Sequence, residues 1–317
     1  MRILLVILTA TSGVLALTSC KQAPKQENAN TAAKTTPEIE IVADRFADIQ
    51  MLRYTIPGFE ELSLPQKQLA YYLYMAGMSG RDIFYDQKNR YNLQIRKTLE
   101  TILETYQGDK NEDNYKKFMV YAKRFFFSNG IHHHYSTDKM IPEFDPAFLD
   151  TLISKSDYSK MPNEGKKIEE FISFLKPILF DPKLDAKGVS LAADVDNVKA
   201  SSSNLYENVT QKEVEQFYKN KILPGVKEQP SWGLNSKVMK VNGKIEEQVW
   251  KSGGMYGAAI DKIVYWLEKA VTVAENDAQK ATLEALVKFY KTGNLKDYDD
   301  YCVLWVKDTA SRIDIAN

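Results

Sequence analysis

Three consecutive histidines are the residues best suited to bind a metal ion in this chain. His132, His133 and His134 are its only histidines, and imidazole is a common ligand of zinc and other transition metals. On a β-strand alternate side chains face the same side, so His132 and His134 could share one ion, whereas on a helix they would diverge. The sequence specifies no third ligand, and the preceding Asn129-Gly130 favours a loop. Two interpretations are therefore open: a histidine pair that binds a metal, and a polar loop that lines a cleft.

No other pattern in the chain forms a complete catalytic set. The sequence contains no H-E-x-x-H, no G-x-S-x-G, no Walker loop and no Rossmann glycine run. Acidic residues cluster at 194–197 and 297–300, but both clusters lack the central glycine and closing glutamate of a calcium loop, which favours solvated faces or helix starts. Cys302 lies in an apolar run, where a buried structural thiol is expected rather than a nucleophile.

The overall charge excludes one class of partner. Lysine plus arginine and aspartate plus glutamate each number 42 in 317 residues, so no basic field is present to attract nucleic acid. The length suits one large domain or two ordinary ones, with enough apolar residues for a core. We expect no nucleic-acid partner.

The N-terminal residues resemble a bacterial lipoprotein signal. A basic residue precedes two apolar runs, and residues 17–20 (LTSC) place small residues before a cysteine. We predict cleavage of residues 1–19 and attachment of lipid to Cys20; an uncleaved anchor and simple secretion are the alternatives. Residues 20–40, rich in polar residues and proline, are typical of a disordered tether. Lys21, with no acidic residue beside the cysteine, favours the outer membrane with the body of the protein in the periplasm.

A glycine cluster followed by two helical patterns lies in the second half of the chain. Gly253, Gly254 and Gly257 indicate a tight turn. Apolar residues then recur at helical spacing, and a second such pattern, with Asp277 as its expected N-cap, ends at Gly293. We predict two helices that pack side by side in opposite directions.

Two further helix starts are recognisable from capping signals. Ser63 with Gln66, and Thr210 with Glu213, have the spacing of a capping box, in which each side chain hydrogen-bonds the backbone N–H of the other. Each pair therefore predicts the first turn of a helix.

Three segments without helical spacing complete the organisation. Asn242-Gly243 lies between two alternating runs and predicts a two-residue β-hairpin with a type I′ turn. Residues 41–59 suggest an extended segment that ends in a turn. Residues 181–208, with three consecutive serines and little periodicity, are the candidate for an internal domain boundary or a long surface loop.

Eight stretches, in order along the chain, together resemble the dipeptidyl peptidase III family. They are FADIQ at 46–50, PGFEEL at 57–62, GRDI at 80–83, SNGIHHHY at 128–135, GLNSK at 233–237, GGMYG at 253–257, IVYWLEKA at 263–270 and LWVKD at 304–308. The resemblance covers almost everything from about Phe46 to Asn317 and applies to the bacterial forms in particular.

The resemblance implies a fold and a cofactor. Family members are two-lobed zinc exopeptidases that release dipeptides from the N-terminus of short peptides. Their zinc ligands come from H-E-x-x-G-H and a later glutamate, and this sequence stops before both. We therefore expect an N-terminal fragment with no catalytic residues and no zinc site of its own. For residues 41–317 the resemblance implies the N-terminal part of the metal-free lobe, an α+β fold that is predominantly α-helical with a small β core.

One substrate-binding position also follows from the resemblance. In the family an acidic residue shortly after the W-x-x-D stretch helps to hold the free α-amino group of the substrate, and Asp314 looks like its counterpart here. Animal members have Glu there and Tyr two residues later, where this chain has Asp314 and Ala316, so the role of that tyrosine is unfilled or moved elsewhere. An ordinary carboxylate at a strand end is the alternative interpretation of Asp314.

These expectations combine into one prediction and one alternative. The resemblance predicts the N-terminal portion of a zinc-dependent dipeptidyl peptidase, inactive by itself, attached to the membrane by lipid and directed at the N-terminal ends of short peptides. The alternative is a non-catalytic lipoprotein that binds peptides or other partners. Whether this chain is itself an enzyme, and what His132, His133 and His134 do, the sequence leaves open.

Overall fold

The structure, a computed structural model, describes residues 39–313. Cys20, the predicted signal and nearly all of the predicted tether lie outside these residues, and so does Asp314. By their contacts the residues form two units, 1–40 and 41–317, and every helix and strand below belongs to the second. None of the described helices is long and apolar enough to cross a bilayer.

Eleven α-helices and five β-strands lie within the described residues. The helices are α1 (Leu64–Ser79), α2 (Arg81–Lys88), α3 (Asn92–Thr105), α4 (Asp113–Ser128), α5 (Phe148–Ser154), α6 (Ile168–Phe180), α7 (Asn197–Ala200), α8 (Gln211–Lys219), α9 (Gly257–Val271), α10 (Asp277–Thr292) and α11 (Leu295–Lys307). The strands are β1 (Val42–Phe46), β2 (Ile49–Leu52), β3 (Tyr206–Glu207), β4 (Ser236–Val241) and β5 (Lys244–Val249). The fold is α+β and predominantly helical, as predicted.

Helices α2 to α6 enclose the larger hydrophobic core. Its centre is aromatic, with Phe118 and Phe125 of α4 and Phe171 of α6 at most 1% exposed. Helix α4 ends at Asn129, which has the left-handed conformation. Gly130 follows with a φ of 145°, and a Cβ there would come within 2.2 Å of the Asn92 amide nitrogen, so the chain needs glycine to pass α3.

Helices α1, α9, α10 and α11 form the second core. Helix α9 packs against α1 and α10, and α10 packs against α11, so the predicted pair of adjacent helices is present and is flanked on both sides. The prediction of Asp277 as N-cap is wrong. Asn276, with extended backbone, accepts the hydrogen bond from the N–H of Gln279, and Asp277 is the first helical residue.

The strands form two small sheets. Strands β1 and β2 pair in antiparallel fashion, and β3, β4 and β5 form a second sheet in that order. The predicted hairpin is confirmed, with Val241 opposite Lys244. Asn242 and Gly243 have φ values of 50° and 79°, the positive values that a type I′ turn requires. Val238 of β4 is fully buried. It packs against Val214 of α8 and against Val209, which precedes that helix.

The segment at 181–208 is held against the loop that carries the histidines. Lys139 donates its backbone N–H to the Ala186 carbonyl (3.0 Å), and Gly188 donates to the Thr137 carbonyl (2.8 Å). The segment also contains α7 and β3. An internal boundary here stays a prediction.

Candidate functional site

The chain leading to the predicted substrate residue is fixed by one carboxylate. Asp314 lies outside the described residues, but the structure describes Ile313 directly before it. Oε1 of Glu275 accepts the backbone N–H groups of Arg312 (3.0 Å) and Ile313 (2.6 Å). The other oxygen, Oε2, accepts the side-chain amide of Gln66 (2.7 Å). The last described residues are therefore tied both to the turn before α10 and to the first turn of α1.

Two further side chains at the start of α10 hold the same segment. Gln279, only 6% exposed, donates its Nε2–H to the Ile313 carbonyl (2.5 Å). Asn276, the N-cap, donates its side-chain amide to the Ser311 hydroxyl (2.9 Å). We call Glu275, Asn276 and Gln279 the α10 platform. The platform thus holds the last described residues, 311–313, against the start of α10.

One stretch that carries the family resemblance, PGFEEL, contacts the segment held by this platform. Arg312, four residues after the end of LWVKD, approaches Glu61 of PGFEEL, with 3.9 Å between guanidinium nitrogen and carboxylate oxygen. Gly58 of the same stretch has a φ of 83°, and a Cβ there would lie 3.7 Å from the Arg312 guanidinium. Both charged side chains are more than half exposed, so the ion pair contributes little stability. The contact is informative because residues distant in sequence converge here.

A buried polar network that the sequence did not reveal connects the two helical cores. The hydroxyl of Tyr256 donates to Oδ2 of Asp86 in α2 (2.6 Å), and the side-chain amide of Asn204 donates to the same oxygen (3.0 Å). Lys237 donates to Oδ1 of Asn204 (2.9 Å) and to the Glu207 carboxylate (2.5 Å). We call these five residues the Asp86 network.

The glycine cluster positions the tyrosine of this network. Tyr256 lies immediately before α9. Its φ of 62° places it in the left-handed region, which is uncommon for a bulky residue. Burial, and then the hydrogen bond to Asp86, raise the pKa of Tyr256, so its phenol stays protonated and acts as a donor. The hydrogen bond from Lys237 lowers the pKa of Glu207, which stays ionised. GGMYG and GLNSK each contribute one member of the network, but no local signal connects them with Asp86.

The three histidines occupy different surroundings. His132 is 5% exposed, and its Nε2–H donates to the Asp185 carbonyl (2.7 Å). Burial lowers the pKa of His132. His133 accepts the backbone N–H of Tyr135 at Nδ1 (3.2 Å) and places Nε2 at 3.1 Å from Asp48.

The third ring does not complete a metal site with the first. His134 packs edge-on against Phe127, with 4.9 Å between ring centroids. Within residues 39–313 no group of three or more His, Cys, Asp or Glu side chains could hold a metal ion. The arrangement favours the polar loop over the metal pair.

The other candidates from the sequence have structural roles in the described region. Asp196 caps α7 by accepting the N–H of Lys199 (3.1 Å), as expected for a helix start. Asp297 lies in the first turn of α11, but it is 6% exposed and accepts hydrogen bonds from Lys288 and Thr292, so it is not part of a solvated face. Those bonds lower the pKa of Asp297. Cys302 is a free, half-buried thiol packed against the second core.

Zinc, which the resemblance implies, finds no fitting ligand set in this part of the chain. Structural and catalytic zinc sites need three or four nitrogen, sulfur or carboxylate ligands, and the described residues bring no such group together. The side chains between residues 39 and 313 therefore do not fit a zinc ion.

Comparison with known proteins relates the C-terminal part of the chain to one family. No curated protein sequence matches it. Among solved structures it is similar to the structure of DPP III from Caldithrix abyssi, with 14% identity and a TM-score of 0.48 over 81% of this chain and 35% of that one. The chain thus spans about a third of the length of that protein. The model of peptidase family M49 matches residues 190–316, a range that includes the α10 platform and Asp314. Residues 190–316 are therefore similar to peptidase family M49, the family of dipeptidyl peptidase III.

Proposed function

We propose that this chain is the N-terminal, metal-free part of a zinc-dependent peptidase that releases dipeptides from the N-terminus of short peptides. The match of residues 190–316 to family M49, whose members are in general zinc-dependent metallopeptidases, supports the reaction class. The observation that carries the proposal is the α10 platform, because Glu275 fixes the backbone up to Ile313, the residue directly before Asp314.

Asp314 holds the α-ammonium group of the peptide in this proposal. An exopeptidase must measure its cut from a charged terminus, and a carboxylate supplies the opposite charge in a strong hydrogen bond. Two extended residues span about 7 Å, so a fixed carboxylate places the second peptide bond at about that distance. The platform matters because an error in the position of residue 314 becomes an error in the choice of bond.

The polypeptide by itself does not hydrolyse peptides in this proposal, because its 317 residues contain no H-E-x-x-G-H. Zinc and a dipeptidyl arylamide added to the purified chain should give no turnover above background. Turnover that requires zinc would disprove this part of the proposal.

Peptide binding tests the role of Asp314 separately from hydrolysis. In equilibrium dialysis, a tetrapeptide with a free N-terminus should bind better than its N-acetylated form. Asp314→Asn should weaken binding of the free form about tenfold or more, because a charge-assisted hydrogen bond is lost. Asp299→Asn is the matched control, because it removes the same charge from α11, outside the α10 platform.

The outcomes of the dialysis separate the candidates. Equal binding of the free and acetylated peptides, or an Asp314→Asn variant that binds like the parent, would rule out the assigned role. Binding that depends on Asp314, without cleavage, also fits the alternative of a non-catalytic peptide-binding lipoprotein. A longer chain that adds the zinc motif would then decide between the two.

Lipid attached to Cys20 places the protein on a bacterial membrane in this proposal, with the body in the periplasm. The support comes from residues 17–20 and from the polar residues that follow them. Such an anchor would keep a peptidase where short peptides enter the cell.

A further inference from the structure

A polar cavity of about 620 Å³ lies beside the Asp86 network, outside the α10 platform. Its walls come from the junction of α2 and α3, from the segment at 184–203 and from the residues around β3 and the start of α8. The three consecutive serines at 201–203, which the peptidase proposal does not use, form part of this wall.

One of the two carboxylates in the wall is paired with a cation. Glu213 accepts the hydroxyl of Thr210 (2.9 Å) and is paired with Lys240. Asp185 accepts the side-chain amide of Asn89 at Oδ2 (2.8 Å), a neutral donor that leaves the charge of the carboxylate in place.

Two basic side chains in the wall have no partner. Arg90 and Lys199 line the cavity, are exposed, and make no hydrogen bond or ion pair through their side chains to any described residue. Ser203 and Tyr206 also line it, and their hydroxyls make no hydrogen bond to a described residue. The charge of Arg90 contributes to the lowered pKa of Glu207, whose carboxylate accepts a hydrogen bond from Lys237. The cavity thus presents two unpaired positive charges against the single carboxylate of Asp185, an excess that favours an anion.

Two buried asparagines hold the backbone beside the cavity without lining it themselves. Asn89 is 1% exposed and bonds to Asp185 (2.8 Å) and, more weakly, to the Ser202 carbonyl (3.4 Å). Asn204, also buried, ties the end of the serine run to Asp86 and Lys237. The backbone next to Arg90 and Ser203 is therefore fixed, and the entropy lost on binding comes mainly from side chains.

We propose that this cavity binds a small organic anion, with its phosphate or carboxylate group paired to Arg90. A guanidinium binds either group in bidentate geometry, and the hydroxyls of Ser203 and Tyr206 can donate to the rest of the molecule. The volume lies in the range of small-molecule sites and exceeds the needs of an inorganic ion. The proposal does not depend on peptidase activity, because it uses neither Asp314 nor the α10 platform.

Calorimetric titration of the intact chain with three matched sugars tests the proposal. Glucose 6-phosphate presents a phosphate, gluconate presents a carboxylate, and glucose presents hydroxyls alone. At least one of the two anions should bind with a Kd below about 1 mM, while glucose shows no saturable binding. The anion that binds identifies which of the two groups the cavity prefers.

Variants connect the binding to the cavity. Arg90→Gln should weaken binding about tenfold or more, and Tyr206→Phe should weaken it less. Arg81→Gln is the matched control, because Arg81 lies at the other end of α2, is exposed and has no described partner. Thermal unfolding of each variant shows whether the fold is retained; Arg90 and Tyr206 make no side-chain hydrogen bond to a described residue, so the fold should be unaffected.

Two results would overturn the assignment. The first is no binding of either anion at about 10 mM, a concentration that detects even millimolar affinity. The second is binding by Arg90→Gln and Tyr206→Phe that equals the parent, which would place the ligand elsewhere on the protein.

Discussion

Glu275 uses both carboxylate oxygens within the protein. Oε1 holds the N–H groups of Arg312 and Ile313, and Oε2 holds Gln66. A carboxylate occupied in this way positions other residues and is not free to hold the ammonium group of a peptide. Asp314, which directly follows Ile313 in the sequence, is therefore the better candidate for that contact.

Protonation of His132 should make stability depend on pH. Burial lowers the pKa of His132 in the folded state, so below a pH of about 6.5 the unfolded chain binds more protons than the folded chain. The free energy of unfolding should therefore fall as the pH decreases through this value. Urea unfolding between about pH 5 and 8 measures this slope.

One substitution isolates the contribution of His132. His132→Gln keeps a donor for the Asp185 carbonyl but cannot titrate, so its slope below about pH 6.5 should be smaller than that of the parent. Equal slopes for the parent and His132→Gln would contradict the prediction.

At the scale of elements, the start of α10 shapes both the fold and the candidate site. Asn276→Ala should lower the free energy of unfolding by about 1 kcal/mol, because the helix loses its N-cap. The variant also loses the hydrogen bond to Ser311, so the segment before Asp314 should become less ordered. Chemical denaturation gives the first quantity, and amide exchange of residues 311–313 gives the second.

The neighbouring acid provides the comparison for this prediction. Asp277→Ala removes only a favourable charge in the first turn, which is worth about 0.3–1 kcal/mol. It should leave exchange at 311–313 unchanged. A larger loss for Asp277→Ala than for Asn276→Ala would show that the cap is assigned to the wrong residue.

Elements fixed by neighbouring residues were predictable from the sequence. Two examples are the capping boxes at Ser63 and Thr210 and the hairpin at Asn242-Gly243. Each depends on residues at most three apart, so the local sequence is enough to predict the element. The residue types do not show whether Asn276 or Asp277 is the N-cap of α10, because both cap helices well. Only the structure shows that Asn276 has the extended backbone of an N-cap.

Contacts between distant residues were not predictable. Asp86 and Tyr256 are hydrogen-bonded although they lie 170 positions apart in the sequence. Helix α2, which carries Asp86, has no counterpart among the predicted helices. Glu275 reaches residues 312 and 313 only because α10 and α11 fold back on each other. The parts of the candidate site that depend on such packing have no local signal in the sequence.

At the scale of the whole molecule, the family match and the helical cores divide the chain differently. The match begins at residue 190, whereas the second core already includes α1, from residue 64. The Asp86 network also joins a helix before the matched range to residues within it. The matched range therefore does not form its core alone.

Lipidation should determine where the whole protein is found in a cell. With Cys20 intact, the protein should fractionate with bacterial membranes, because buried acyl chains contribute about 0.8 kcal/mol per CH₂ group. Cys20→Ala should move it out of the membrane fraction. Cys302→Ala, which changes the other cysteine, is the control and should remain membrane-bound. Equal fractionation of Cys20→Ala and the parent would contradict lipid attachment.

The exposed tip of the β4–β5 hairpin has a practical consequence. A Cβ on Gly243 would meet no atom within 4 Å, and the turn lies in open solvent. Exposed tips of this kind tolerate insertions. Lys240 of the same hairpin lines the polar cavity, and Lys237 belongs to the Asp86 network. A fluorophore placed at this tip would therefore lie on the same hairpin as Lys240 and Lys237. Its emission is expected to report when a ligand occupies the polar cavity.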